Sequence, residues 1–325
     1  MKKRGKKTKK VSKSSIKKPP LASRVVNALQ KNGQRKVVDI QEFRNAKMIA
    51  EELEQTVIKI EDMEKLDPLH AVYVYAQNKM SVIMDQLSDL PALDKLTDLY
   101  EDAREQYMPG GPPMSPLTLS YFFCWGFFDL NVGNQRESLG FVATEVCKEL
   151  KADEGQIRAF EAMNSSRMGL YVHEGFSGQG DLLREFVTGN RIKVKVPSGH
   201  KGQPGEIWLV RLLPPLFPEM GLDYSVVFTT PYVIGKLKGK TFSMVGDEQG
   251  WEEYFERTLD KVQAKDKLEA YEKLMKYGLS RHYWNEYIFE AFFNYTKEAI
   301  MLTGFPDIPL SRPFSKESQE QDDID

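Results

Sequence analysis

The tightest constraint on the fold is the run GEIWLVRLLP at residues 205–214. From Ile207 to Leu213 every residue except Arg211 is apolar, and the run has the length of a strand rather than a helix. A strand apolar on both sides must be covered on both faces, so it belongs in the middle of a sheet. Gly205 precedes it and Pro214-Pro215 closes it, because proline cannot donate to a strand ladder. Arg211 cannot stay in such a strand without a counter-charge. It is predicted to pair with an acid or to hold an anionic ligand, and structural pairing is the favoured of the two.

The neighbouring segments extend the sheet. Residues 191–196 alternate basic and apolar, which puts Ile192, Val194 and Val196 on one face and Arg191, Lys193 and Lys195 on the other. Thr188-Gly189-Asn190 is turn chemistry, so residues 182–187 and 191–196 read as a hairpin. Apolar runs at 170–173 and 224–230 bring the total to about five strands, an ordinary sheet size. The expected fold class is α+β: mostly helical, with a small antiparallel β-sheet or partly open barrel inserted near residues 168–245.

The flanks read as helix. Asp39 is placed as the cap of a helix reaching about residue 65, Ser23 as the cap of a shorter one, and Asp67-Pro68 as the opening of a third. Residues 117–130 are apolar all round and are taken as a core helix buried on every side, with Cys124 as a packed thiol. Helices near 135–150 and 154–164 follow. After the sheet come 251–262 with Asp247 as cap, 265–277 ending at Gly278, and 281–302. The expected organisation is a disordered basic tail at 1–20, a helical region at 21–108, a Pro/Gly connection at 109–116 and a helical core at 117–167. The β module at 168–245, C-terminal helices at 246–304 and a Pro-rich then acidic tail at 305–325 complete it.

Charge is segregated. The chain's 45 basic and 47 acidic residues leave a net charge of −2, yet ten Lys and Arg and no acid fall within residues 1–20. Such an arm gains affinity for nucleic acid or another polyanion by counterion release, without reading bases. A solubilising tail is the blander alternative. No apolar segment follows the charged N-terminus in the manner of a signal peptide, and 117–130 is shorter than the ~20 residues a bilayer requires. Cys124 and Cys147 form no CxxC and no disulfide framework. A cytoplasmic protein with no membrane contact, no cofactor and no metal is expected.

Two functional constellations follow. The first is a binding surface: Arg191, Lys193, Lys195 and Lys201 form a basic stripe along one β face and its loop, with Arg211 as a further ligand or polyanion contact. The second is a pocket between the β-module loops and the last helix, with His173, His200, His282 and Glu286 as candidate catalytic groups and His282–Glu286 as an acid/base pair. The glycine loops at 175–180 and 198–205 could cradle a phosphate through backbone amides, although neither is a P-loop. Asp67-x-x-His70 has ligand spacing but lacks a third partner, which favours a helix cap. A non-enzymatic binding or adaptor protein, its arm on nucleic acid, is the preferred reading, and an enzyme of unrecognised family is the alternative.

The runs LLREFVTG at 182–189, KVKV at 193–196 and GEIWLVRLLP at 205–214 together resemble a β module of poorly characterised bacterial proteins that often carry a SecA-type C-terminal zinc motif. The resemblance covers about 50 residues and implies a bacterial setting. The zinc motif is absent, since the C-terminus has no cysteine.

Overall fold

The computed structural model describes residues 19–33, 63–88, 90–107, 116–178, 180–238, 241–244, 264–277, 284, 291–292 and 301–303. The expected helix at 39–65 up to residue 62, that at 251–262, residues 1–18 of the basic arm, and the pair His282–Glu286 lie outside them.

Seven α-helices are present among the described residues: α1 (Leu21–Gly33), α2 (Pro68–Leu87), α3 (Asp94–Tyr107), α4 (Pro116–Phe128), α5 (Leu139–Glu149), α6 (Glu154–Ser165) and α7 (Lys267–Tyr277). A two-stranded hairpin, β1 (Asn131–Val132) with β2 (Glu137–Ser138), occupies the start of the segment expected to be helical from 135. Its turn holds Gly133 and Arg136 at positive φ, and Ser138 then caps α5 by accepting from the Phe141 amide at 3.2 Å.

The second sheet overturns the expected α+β picture of a small antiparallel β-sheet. Of the two forms expected, a barrel is the nearer, and it is closed rather than partly open. The sheet has nine strands, ordered β10-β11-β8-β6-β3-β4-β5-β7 with β9 beside β8. These are β3 (Met168–Ser177), β4 (Gly180–Glu185), β5 (Arg191–Lys195), β6 (Ile207–Leu213), β7 (Ser225–Val227), β8 (Tyr232–Lys238), β9 (Thr241–Met244), β10 (Ala291–Phe292) and β11 (Met301–Thr303). Two pairings are parallel, β5 with β7 and β11 with β8. Because β7 also pairs antiparallel with β6, strands β3, β4, β5, β7 and β6 close into a five-stranded barrel. β7, three residues within the run expected at 224–230, is what closes the barrel. Met301–Thr303, expected to be helical, instead lies parallel to Val233–Gly235. Met301 and Leu302 suit a helix as well as a strand, and pairing with an available sheet edge decides between them.

Numbered within the barrel, the strands run 1-2-3-5-4-1, a Greek-key closure of the kind found in OB-type barrels. Register and alternation put His173, Leu183, Val194, Trp208, Val210 and Val227 on the inner face, and all six are 0% exposed. Helix α4 links this core to a second one formed by the helices. Its Tyr121 stacks on Tyr232 at 4.5 Å, while Phe122 and Trp125 pack with Tyr107 and Trp284. It is not buried on every side, because Phe123 is 44% exposed.

Long-range caps fix the helices. Leu21 and Ala22 donate their amides to the buried Glu137 carboxylate at 2.6 and 2.9 Å, so α1 is capped from the β1–β2 hairpin rather than by Ser23. Asp67 accepts from the Leu69 and His70 amides and from the Tyr224 hydroxyl, joining the start of α2 to the entrance of β7. Its carboxylate is thereby committed to capping.

Arg211 holds the two layers together. Its side chain leaves the outer face of β6 and pairs with Asp129, just past α4, while Nη1 donates to the Ser166 carbonyl at 2.9 Å and to its hydroxyl at 3.1 Å. Lys276 of α7 reaches the same place, 2.7 Å from Asp129 Oδ1, and donates to the Asn164 and Ser166 carbonyls at 2.8 and 2.7 Å. Burial holds the Lys276 ammonium below the usual lysine range, with Asp129 opposing the shift. Two cations therefore share one carboxylate with 0% side-chain exposure. Asp129→Asn strands both charges and is expected to cost about 3–5 kcal/mol. Arg211→Met leaves Asp129 with Lys276 and is expected to cost only about 1–2 kcal/mol. Urea unfolding compares them, and an Arg211→Met loss equal to or above that of Asp129→Asn would contradict the shared-anion account.

Candidate nucleic-acid interface

The outer face of β4 and β5 carries the basic stripe. The register sets Arg184 directly opposite Arg191 and Leu182 opposite Lys193. Like charges in directly opposed positions repel, and the Glu174 carboxylate bonds to both. Glu174 accepts from Arg184 Nε at 2.9 Å and from Arg191 Nε at 2.8 Å, with Arg191 Nη2 a further contact at 3.4 Å. Hydrogen bonding from Arg191, aided by Arg184, holds the Glu174 carboxyl below its usual range despite some desolvation. Glu174 reaches this position because the β3–β4 register shifts between His173 and Gly175, where Gly175 adopts φ 114°. Such a bulge bends the strand and re-aims its extra residue.

Further along the face, Lys193 is exposed and Lys195 lies 5.8 Å from the centre of the Tyr224 ring. Lys201 is exposed on the β5–β6 connection. Neither Lys193 nor Lys201 has an ion-pair partner among the described residues. At the β3–β4 turn Phe176 is 64% exposed. The strand face thus offers Arg184, Arg191, Lys193 and Lys195 around the carboxylate of Glu174, while the exposed Phe176 ring is on the other side of the hairpin, opposite Asp181 and 5.4 Å from the His173 ring. Arg211, grouped with these cations from sequence, is not on this surface: it is 1% exposed and bonded to Asp129 and Ser166.

The enzyme constellation is split. His173 and His200 both pack against Trp208, with ring centroids 4.9 and 5.3 Å from the indole. The loop at residues 196–206 brings His200 there by folding over that end of the barrel. Trp208 Nε1 donates to Glu206 Oε2 at 3.0 Å, His200 Nε2 stands 3.8 Å from the same oxygen, and His173 Nε2 is 2.8 Å from Asp181 Oδ1. Burial of Glu206 opposes ionisation, but its contacts with His200 and Trp208 outweigh burial and lower its pKa. Arg211 sits toward the opposite end of β6 and on its other face. His173 is fully buried, which leaves it no path to a substrate. No group of three or more His, Cys, Asp and Glu side chains is placed to hold a metal among the described residues.

The two glycine loops also come together, with Pro204 Cγ 3.9 Å from where a Cβ on Gly175 would stand. In and just after the second loop, three amides are already used: Gly205 donates to the His173 carbonyl, Glu206 to the Gln203 carbonyl and Gly199 to the Val196 carbonyl. Donors so committed are not a phosphate cradle. Nothing local in the sequence pointed to Glu174, Asp181 or Glu206, whose roles come from register and from the bulge. The length of the 198–205 connection, rich in glycine and ending beside an indole, was the one usable signal for the folded-over loop.

Gly202 makes that closure possible. A Cβ there would stand 2.3 Å from Trp208 Cζ2 and 2.7 Å from His173 Cδ2. Gly202→Ala is expected to lower stability by about 1–3 kcal/mol through overpacking. At the neighbouring Gln203, which is exposed, substitution to alanine should stay within about 0.5 kcal/mol. Denaturant unfolding of the two variants checks this, and equal effects would contradict the packed loop. No helix among the described residues is long and apolar enough to cross a membrane. No protein-family model, no curated protein and no solved structure matches this chain, so its function has to be read from its own residues.

Proposed function

We propose that this chain is a non-enzymatic binding protein for single-stranded nucleic acid, which lies across the outer face of β4 and β5 with the basic segment 1–20 adding sequence-independent attraction. The observation that carries the reading is the row of Arg184, Arg191, Lys193 and Lys195 on the second and third strands of a closed five-stranded barrel. In barrels of this connectivity the face of those two strands is the surface that takes oligonucleotides. Cations spaced along a strand follow a phosphate backbone, and an exposed ring accepts a base on its π-face whatever the base. Phe176 is an exposed ring of the same hairpin, although it lies on the face of Asp181 and His173 and not on that of the cations.

Electrostatic magnitudes favour a polyanion over a single small anion. Each exposed cation is worth little alone in water and salt, on the order of 1 kcal/mol or less. Several acting on one chain of phosphates add, because each contact releases condensed counterions. The resemblance of residues 182–214 to a bacterial β module accords with this reading, since those residues supply both the face and the wall behind it.

The test is fluorescence anisotropy with a labelled oligothymidylate and a duplex of equal length, at two salt concentrations. It uses the full chain, a chain lacking residues 1–18, and Lys193→Ala and Lys195→Ala in each. Single-strand preference is expected to survive loss of the arm, and each lysine variant should weaken binding about two- to fivefold and lower the salt slope by about 0.7. Binding that disappears with residues 1–18 and ignores both lysines would contradict the interface.

A further inference from the structure

We infer that the Arg184–Arg191 pair is a phosphate subsite filled, in the free protein, by the protein's own Glu174 carboxylate. The inference rests on the nucleic-acid reading and adds to it an internal competitor for one backbone phosphate.

The geometry is that of a two-guanidinium anion cradle. Arg184 and Arg191 come from adjacent strands in directly opposed positions, and both aim Nε at the two oxygens of one carboxylate, at 2.9 and 2.8 Å. Guanidinium forks match phosphate oxygens as well as carboxylate oxygens. A bridging phosphodiester could accept from the same two nitrogens without moving either strand.

The occupant is held loosely enough to be displaced. Arg191 has 68% of its side chain exposed, and an ion pair of that kind contributes little to stability. Glu174 is also the extra residue at the β3 bulge, so it is placed by a backbone irregularity rather than by the ladder. It does not belong to a buried network: its only partners among the described residues are the two arginines. The carboxylate offsets the repulsion between the two arginines across the strand pair until a phosphate takes its place. The cost falls on affinity, since the displaced carboxylate remains beside the bound phosphate as a like charge. Lys193, exposed on the same face, is a contact available from the outset.

The test is the same oligothymidylate titration on the full chain, with Glu174→Gln, Glu174→Gln combined with Arg191→Ala, and Lys193→Ala. Glutamine keeps the side chain's length and one acceptor oxygen, and Glu174→Ala serves as a second variant with the same expectation. Thermal unfolding confirms that each variant is folded. Glu174→Gln is expected to bind about fivefold tighter than the parent, the scale of removing one like charge beside a surface phosphate, and the gain should vanish when Arg191→Ala is added. Weaker or unchanged binding by Glu174→Gln and Glu174→Ala, with Lys193→Ala still weakening, would overturn the subsite and leave the interface standing. If Lys193→Ala and both Glu174 variants all bind as the parent does, the subsite and the interface fail together.

Discussion

A guanidinium on a strand that is otherwise wholly apolar must find an anion in the interior, and much of this architecture follows from how Arg211 finds one. Asp129 lies 82 positions earlier in the chain, at the end of α4, and the pairing clamps β6 to the helical layer. Ser166, at the end of α6, gives its carbonyl and hydroxyl to the same guanidinium, and Lys276 brings α7 to the other carboxylate oxygen. One buried carboxylate thereby fixes four elements that sequence order separates widely. Tyr271 adds a second tie on α7, accepting from the Leu170 amide at 2.8 Å and donating to Glu185 at 3.1 Å. Hydrophobic burial supplies the larger part of the stability, but it is not directional. The charged and hydroxyl contacts determine which way the helices dock.

Among the described residues, the helices dock on one side of the barrel. Helices α4 and α7 cover the wall built from β3 and β6, while the outward side chains of β4 and β5 meet solvent. The inner positions of the same strands, Leu183 and Val194, are fully buried, so alternation alone sorts apolar residues inward and cations outward. The loop at 196–206 fills the mouth of the barrel with Gly202 and His200 against Trp208. The histidines of the barrel are thus absorbed into closing the fold, and the exposed face of β4 and β5 is left with charge. That division is why binding, rather than acid–base chemistry, is the function proposed.

Local patterns were legible and distant partners were not. The alternation at 191–195 placed Val194 inside and Lys193 outside, and Thr188-Gly189-Asn190 marked the turn in which Gly189 takes φ 73°. The apolar run ending at Pro214 gave a strand buried along its whole length, and Asp67 caps its helix as its spacing suggested. What failed did so for physical reasons. The run at 224–230 holds β7, but nothing local shows that it pairs with two strands and closes the barrel; residues 301–303 suit a helix as well as a sheet edge, and the small sheet expected from strand counting became a larger, closed one. Glu137 capping a helix 115 residues away, Asp129 neutralising Arg211 and Glu174 bridging two arginines depend on three-dimensional proximity that no window of sequence contains.

The most direct measurement is lysine-acetylation footprinting of the full chain, read by mass spectrometry, with and without saturating single-stranded oligonucleotide. The account predicts that Lys193 and Lys195 become protected while Lys148 and Lys273, which are engaged in ion pairs on the helices, keep their reactivity. Protection confined to the lysines of residues 1–20, with Lys193 and Lys195 as reactive as in the free protein, would contradict it.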